Sequence, residues 1–286
     1  MKRTPHFPKH NAEAILVAHK LSNAEARFLI TDYYANQEAR KRADMQLRHL
    51  GDRAADSNAP LLRYTSECNA EWEGVVKKAL GRFAEASPVG RWMMEQCGVK
   101  EVIAAGLLAH IDIEKAPTVG HIWRFAGQDP TCKWKEGEKR PFNAALKQLC
   151  YHLGECIKRT WKDADSFYGS IYGSRKALIV ARNDAGYNAE RAKTFRTKSN
   201  DVRKVLKQGK LPDGNLDRQA CNYVAKIFLS HLHAVMYWDR YRKAPPKPFA
   251  ISILGHAHEI RIPRLDLFPG LEEAYYGSGE RLEAAE

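Results

Sequence analysis

The 286-residue chain lacks an apolar run of membrane-spanning length, and no two of its six cysteines form a CxxC pair. The first absence excludes a transmembrane helix, which needs about 20 apolar residues in succession. The second removes the common zinc-ribbon and thioredoxin-like spacings. Cys68, Cys97, Cys132, Cys150, Cys156 and Cys221 are scattered, several on apolar helical faces, as suits free thiols in a reducing compartment. A secretory leader is not visible either: MKRTPHFPKH is followed only by AEAILVAH, too short and too charged for the apolar core of such a signal. The expectation is a cytoplasmic protein without a membrane partner.

Negative charge is the other shortage. Lys and Arg number 46 against 34 Asp and Glu, a formal net charge of +12. The excess is local: residues 161–264 carry 20 basic and 9 acidic side chains, whereas residues 265–286 carry 1 and 6. The densest stretch holds Arg191, Lys193, Arg196, Lys198, Arg203, Lys204, Lys207 and Lys210 against Asp201 alone. Repulsion within such a run is relieved by a polyanion. The plain alternative is a solvated insertion, partly disordered in the free protein, and the two are compatible because basic segments order on nucleic acid.

What is present is helical periodicity. Ser22 to Glu25 (SNAE) reads as a capping box that opens a helix to about Leu50. Residues 51–60 read as a linker, and a second helix over 61–86 places Leu62, Trp72, Val76, Leu80 and Phe83 at helical spacing. A helical hairpin of this kind is also where a homodimer would form. Further helices are expected at 92–97, 101–111, 118–125, 142–159 and 216–241, with Trp123 and Phe125 in the core. The fold class is therefore all-α. Four segments follow: an N-terminal helical hairpin (1–88), a central domain (89–160), a helical region with a basic arm (161–264) and an acidic tail (265–286), disordered from Leu271.

Between the helices at 92–97 and 101–111 lie only Gly98, Val99 and Lys100. A glycine suits the positive-φ residue that closes a helix. The free N–H groups at the next helix start could then hold a phosphate, as in a helix-hairpin-helix. The alternative is an ordinary αα-hairpin inside a core.

The motif order adds to this. After the GVK corner come AAGLLAHI, APTVGHIWRFAGQDP, a basic glycine-containing loop and KRPFNAALKQLCYHLG. Gly98, Ala104, Ala105, Leu108, Ala109, Phe125, Ala126, Gly127, Pro130, Lys139, Arg140, Asn143 and Leu146 fall into one succession. It resembles the C-terminal helix-hairpin-helix domain of the insertion-sequence 110 family of transposases, over about a quarter of the chain. The resemblance implies DNA binding in a phage or mobile-element setting. Two departures count against catalysis. The family carries a nucleophilic serine in the basic loop, but residues 131–139 read TCKWKEGEK. Its resolvase-like sheet domain with metal-binding carboxylates has no counterpart in the first ninety residues, which read as helical.

Within that loop Lys133, Lys135, Lys139 and Arg140 flank Trp134, a ring that could stack on unpaired bases while the cations neutralise phosphate. Glu136 and Glu138 halve the charge, and a solvated loop with a buried Trp anchor is the competing reading. A tyrosine recombinase would need an Arg-His-Arg cradle, which Arg175, His231 and Arg240 supply only on paper. His231 and His233, two apart on a helix, cannot share one ion. His256 and His258, in an extended stretch, could bind zinc with Glu259 or Asp266. No cofactor and no catalytic residue is expected. The expected function is DNA binding, with RNA as the alternative polymer, through Gly98, Val99, Lys100, the 133–140 loop and the 191–207 arm. The competing functions are an active transposase or recombinase, using Thr131, Cys132 or a tyrosine, and a non-enzymatic scaffold that binds a protein partner.

Overall fold

A computed structural model describes residues 11–51, 59–247 and 260–277. Among them are twelve α-helices and no strand, so the protein is all-α. The chain divides into two compact units: Met1–Met94 with Lys100–Asp112, and Glu95–Val99 with Ile113–Glu286. No helix of the described residues is long and apolar enough to cross a membrane.

The first unit is built on a long helical hairpin. Helix α1 (Asn11–Val17) precedes α2 (Asn23–Leu50), whose start is the expected capping box. The Ser22 hydroxyl accepts from the Glu25 N–H at 3.3 Å, and the Glu25 carboxylate accepts from the Ser22 N–H at 2.7 Å. Helix α3 (Ala59–Glu85) packs along α2 with Val76, Leu80 and Ala84 buried. The apolar contribution of α2 is small, only Ala26, Ile30 and Ala43 being buried, so polar pairing fixes the register. Arg40 grips the buried Glu73 with two N–H donors at 2.6 and 3.1 Å and also reaches Asp44 at 3.3 Å. Helix α4 (Pro88–Glu95) has proline at its first position, where no backbone donor is needed. Helix α5 (Glu101–His110) is almost wholly buried and lies against both α2 and α3. The Arg27 guanidinium donates to the Ala109 carbonyl at 2.5 Å, a cation at the negative end of α5.

The second unit is organised around α11 (Asp213–Tyr241), which buries Val224, Phe228, Leu232 and Val235 on one stripe. Against it pack α6 (Val119–Phe125), α7 (Ala144–Arg159) and α8 (Phe167–Asp184). In α7 the buried set Leu146, Leu149, Cys150, Leu153, Gly154 and Ile157 follows the helical repeat, and the Asn143 side chain caps its start. A Cβ at Gly154 would sit 2.9 Å from the Cys221 carbonyl oxygen, so glycine is what lets α7 and α11 approach. Tyr168 of α8 lies 5.0 Å from the Phe228 ring, both fully buried.

Three segments differ from the sequence expectation. Residues 271–276, expected as disordered tail, form α12 (Leu271–Tyr276) with Phe268 and Leu271 fully buried, and the Tyr276 hydroxyl accepts from the Ile262 N–H at 2.9 Å. Acidic composition masked two core residues. The basic arm, expected to be partly disordered, contains α9 (Ala189–Thr194) and α10 (Asn200–Lys207). Phe125, expected in the core, ends α6 on the surface with 44% of its area exposed.

Candidate nucleic-acid interface

The corner at residues 98–100 is largely filled by the protein itself. Gly98 has φ of +85°, as its glycine demands, but a Cβ there would lie 3.0 Å from both the Cys156 carbonyl oxygen and the Ile157 Cα. Val99 is fully buried, and its N–H is spent on the Gln96 carbonyl at 3.0 Å. The start of α5 already carries an anion of its own, Glu101, paired with Lys77 at 3.7 Å. A phosphate would meet that carboxylate. Gly98 and Val99 are therefore packing residues, and of the three only Lys100 is exposed. Positive φ was the legible signal, and it serves a packed corner as well as an open one.

The 132–140 loop is open. Lys133, Lys135, Lys139 and Arg140 are all exposed, and Trp134, rather than being a buried anchor, keeps 36% of its surface. Glu138 shapes the loop: its carbonyl accepts from the Trp134 indole N–H at 2.8 Å, and its carboxylate accepts from the Lys135 N–H at 3.2 Å. Beside the loop runs a groove of about 550 Å³ lined by Cys132, Trp134, Arg140, Phe142, Lys147 and Tyr151. Each of its rings has a cation against it. The Arg140 guanidinium lies 5.4 Å from the Trp134 ring centre, Lys147 Nζ 4.2 Å from Phe142, and the Arg218 guanidinium 3.6 Å from Tyr151. Rings for stacking, interleaved with cations for phosphate, are the two parts of a single-strand platform. Phe142, Lys147, Tyr151 and Arg218 had no distinguishing signal in the sequence, since they come from a loop, α7 and α11.

The arm is a closed excursion. At its base the Asn183 carboxamide donates to the Leu211 carbonyl at 3.2 Å and accepts from the Leu211 N–H at 2.9 Å, while Lys210 pairs with Asp184 at 2.8 Å. Asn188 donates to the same Asn183 oxygen at 2.9 Å. This clasp, with Ala192 buried, gives the excursion its fold. Arg191, Lys193, Arg196, Lys198, Arg203, Lys204 and Lys207 are all exposed. Lys193 pairs with Glu190 at 2.5 Å and Lys204 with Asp201 at 3.3 Å, both one helical turn apart. Exposed pairs of this kind hold by about 0–1 kcal/mol and give way readily to a better anion. Arg203 bonds only neutral groups, Asn200 Oδ1 and the Thr197 carbonyl. Arg191, Arg196, Lys198 and Lys207 meet no carboxylate among the described residues. Helix α11 starts at Asp213, two residues past the clasp, and Arg218 follows five residues on, about 7–8 Å along the axis. The base of the arm thus adjoins the aromatic groove.

Apart from the free Cys132 thiol of the groove, the titratable groups nearby are already committed. Glu155, Asp217 and Cys221 converge closely enough to hold a cation. Yet Asp217 takes Lys158 at 2.5 Å, Lys176 at 3.5 Å and the Tyr172 hydroxyl, and Glu155 takes Arg218 at 3.5 Å. Burial works against ionising Asp217, but the bonds from Lys158 and Tyr172 outweigh it and hold its carboxyl below the usual value. Burial pushes the Cys221 and Cys150 thiols up to about 12, which leaves both unreactive. The recombinase cradle is not assembled either. His231 Nε2–H donates to the Ile260 carbonyl at 2.9 Å, so Nδ1 is the acceptor for the Tyr168 hydroxyl at 2.8 Å. Both ring nitrogens are spent in the core, and Arg240 pairs with Glu114. His233 likewise donates to the Ala116 carbonyl at 2.9 Å. The Thr131 hydroxyl donates to Asp129 at 2.7 Å in a local turn. His256 and His258 lie outside the described residues.

No family model matches this chain, and no curated protein or solved structure is significantly similar to it.

Proposed function

We propose that the second unit binds nucleic acid, with DNA as the preferred polymer, through the 191–207 arm and the Trp134 groove. One observation carries the reading: seven exposed cations on a clasped excursion, five of them without a carboxylate partner among the described residues. An uncompensated cluster of this density is relieved by a polyanion, and each phosphate neutralised releases counterions. The adjoining rings favour strands with unpaired bases over a purely electrostatic grip on duplex. Lys100 is not needed for this surface. The protein acts here as a binder and not as a strand-cutting enzyme, in keeping with the commitments of His231 and Thr131 to the fold, although the free Cys132 thiol lines the groove. A phage or mobile-element setting is supported by the motif order from Gly98 to Leu146 alone.

The decisive measurement is a binding series against duplex, single-stranded and branched DNA and structured RNA at several salt concentrations. The reading requires log K to fall with log salt at a slope of about −0.7 to −0.9 per phosphate contacted. A constant that stays flat between low and moderate salt overturns it.

A further inference from the structure

A second groove, of about 400 Å³, lies on the neighbouring face of α11, between α8, α11 and the turn at residues 127–130. Two cations, Arg175 and Lys226, line it with one carboxylate, Asp129, the Tyr223 ring and the carboxamides of Gln128, Gln219 and Asn222. The Arg175 guanidinium stacks on Tyr223 at 4.5 Å, and its Nε is cut off from solvent without a hydrogen-bond partner. A desolvated, unmet donor is costly unless an arriving group accepts from it. Lys226 sits 4.4 Å from the Trp123 ring, and burial pulls its ammonium below the usual lysine range, with Asp129 pulling the other way. Asp129 already offsets part of the Lys226 charge, whereas Arg175 pairs with no carboxylate among the described residues and has the more to gain from an anion.

The carboxamides say what kind of anion. Gln219 donates to Asn215 Oδ1 at 2.9 Å, which leaves its own oxygen as an acceptor. Asn222 is exposed, and its carboxamide bonds nothing among the described residues. Paired donors and acceptors of this type match the edge of a nucleobase, and a bare phosphate would have no use for them. The volume lies within the roughly 300–1,000 Å³ of small organic ligand sites, well above what one phosphate fills. Gln219 is also the chain neighbour of Arg218, which flanks the first groove, so a strand lying there can turn one residue into the second.

We propose that this groove holds one unpaired nucleotide, its phosphate on Arg175 and Lys226 and its base edge on Gln128, Gln219 and Asn222. Delivery of that nucleotide by a bound strand rests on the nucleic-acid reading above; capture of a free nucleotide does not. The test uses the full chain with two probes. One is the set of four nucleoside monophosphates, titrated alongside inorganic phosphate and followed calorimetrically. The other is a single-stranded oligonucleotide of about twelve residues and its abasic counterpart, which keeps every phosphate.

The expected result is saturable binding of at least one monophosphate, tighter than phosphate, and weakened about tenfold by Asn222→Ala and by Arg175→Lys. On strands, Gln219→Ala combined with Asn222→Ala lowers affinity for the base-bearing oligonucleotide and leaves the abasic one unchanged. Either effect alone supports the site, the first for free nucleotides and the second for a strand. Inorganic phosphate binding as tightly as every monophosphate, or neither probe responding to any of these variants, overturns it. If the strands still bind in that case, the nucleic-acid reading stands without the pocket. If the wild-type chain binds neither strands nor monophosphates, both readings fall together.

Discussion

Two stretches of this chain are rich in arginine and lysine, and the fold pairs them to different degrees. Along α2, α3 and the start of α5 some of the cations are answered, Arg40 by Glu73 and Asp44, Lys41 by Glu38, Lys77 by Glu101 and Arg82 by Glu85, while Arg42, Arg48, Arg63 and Lys78 meet no carboxylate among the described residues. Along the 191–207 arm, Arg191, Arg196, Lys198, Arg203 and Lys207 are left without such an answer among the described residues. The lesson is that a count of basic residues does not locate an interface. Pairing, together with density along one short stretch, narrows it, because a cation already neutralised at 2.6 Å by a buried carboxylate has little to offer a phosphate.

The largest effect that would break this contrast is on the arm. Replacing Arg191, Arg196, Lys198 and Lys207 together by Gln is expected to weaken nucleic-acid binding by about three orders of magnitude at moderate salt. The salt slope should lose about one unit for each charge removed. Thermal stability should hardly move, since these side chains are exposed. Equal losses of binding on neutralising Lys41 and Arg82 of the first unit would erase the distinction between paired and unpaired cations.

The next effect separates the core of the second unit from its charged surface. Burial lowers the His231 pKa to about 4 from an ordinary 6.5. The unfolded chain therefore takes up the proton first as pH falls. The stabilisation is complete above about 6.5 and drains away as pH drops toward 4. At about 1.4 kcal/mol per pH unit this amounts to about 3 kcal/mol, read from urea unfolding across that window. His233, also lowered by burial, adds in the same direction. A His231→Phe variant should show a flatter acid profile whatever its own stability, and an unchanged profile refutes the neutral buried ring.

In the first unit the smaller effect is a broken pair. Arg40→Ala leaves the buried Glu73 carboxylate without its fork of donors, at a cost of about 2 kcal/mol, below the full buried-pair figure because Arg40 is partly exposed. Nucleic-acid affinity should stay at the wild-type value in the same protein. A loss of binding matching the arm variant would place the interface elsewhere than proposed.

Local chemistry explains what could be read from the chain beforehand. The capping box at Ser22 and Glu25, the amphipathic repeat of α7 and the apolar stripe of α11 are written in adjacent residues, so the all-α class followed from them. The exposed cations of the arm are likewise one continuous stretch. The clasp that folds it is not: Asn183 looks like any surface asparagine until Leu211 meets it. The aromatic groove draws Trp134, Phe142, Tyr151 and Arg218 from three elements, a convergence that no spacing rule contains. At Gly98 the local signal was real, a left-handed turn, but its surroundings decided its use, and those surroundings are the backbone of Cys156 and Ile157.

The smallest expected effect sharpens the comparison most, because it separates charge from stacking within the proposed surface. Trp134 is held by its indole N–H to the Glu138 carbonyl and faces Arg140, yet keeps over a third of its area open. Trp134→Ala removes a stacking face while every cation of the loop and arm stays in place. Affinity for single-stranded DNA should fall about tenfold, the scale of one lost base–aromatic stack. Affinity for duplex, whose bases are already stacked on one another, should change by less than about twofold, and the salt slope on either polymer should be unaltered. A Trp134→Phe variant should recover most of the loss on single strands, since a ring without the N–H still stacks. Equal losses on single strands and duplex would instead mean that Trp134 only props up the loop, and the groove would then contribute charge and no base contact.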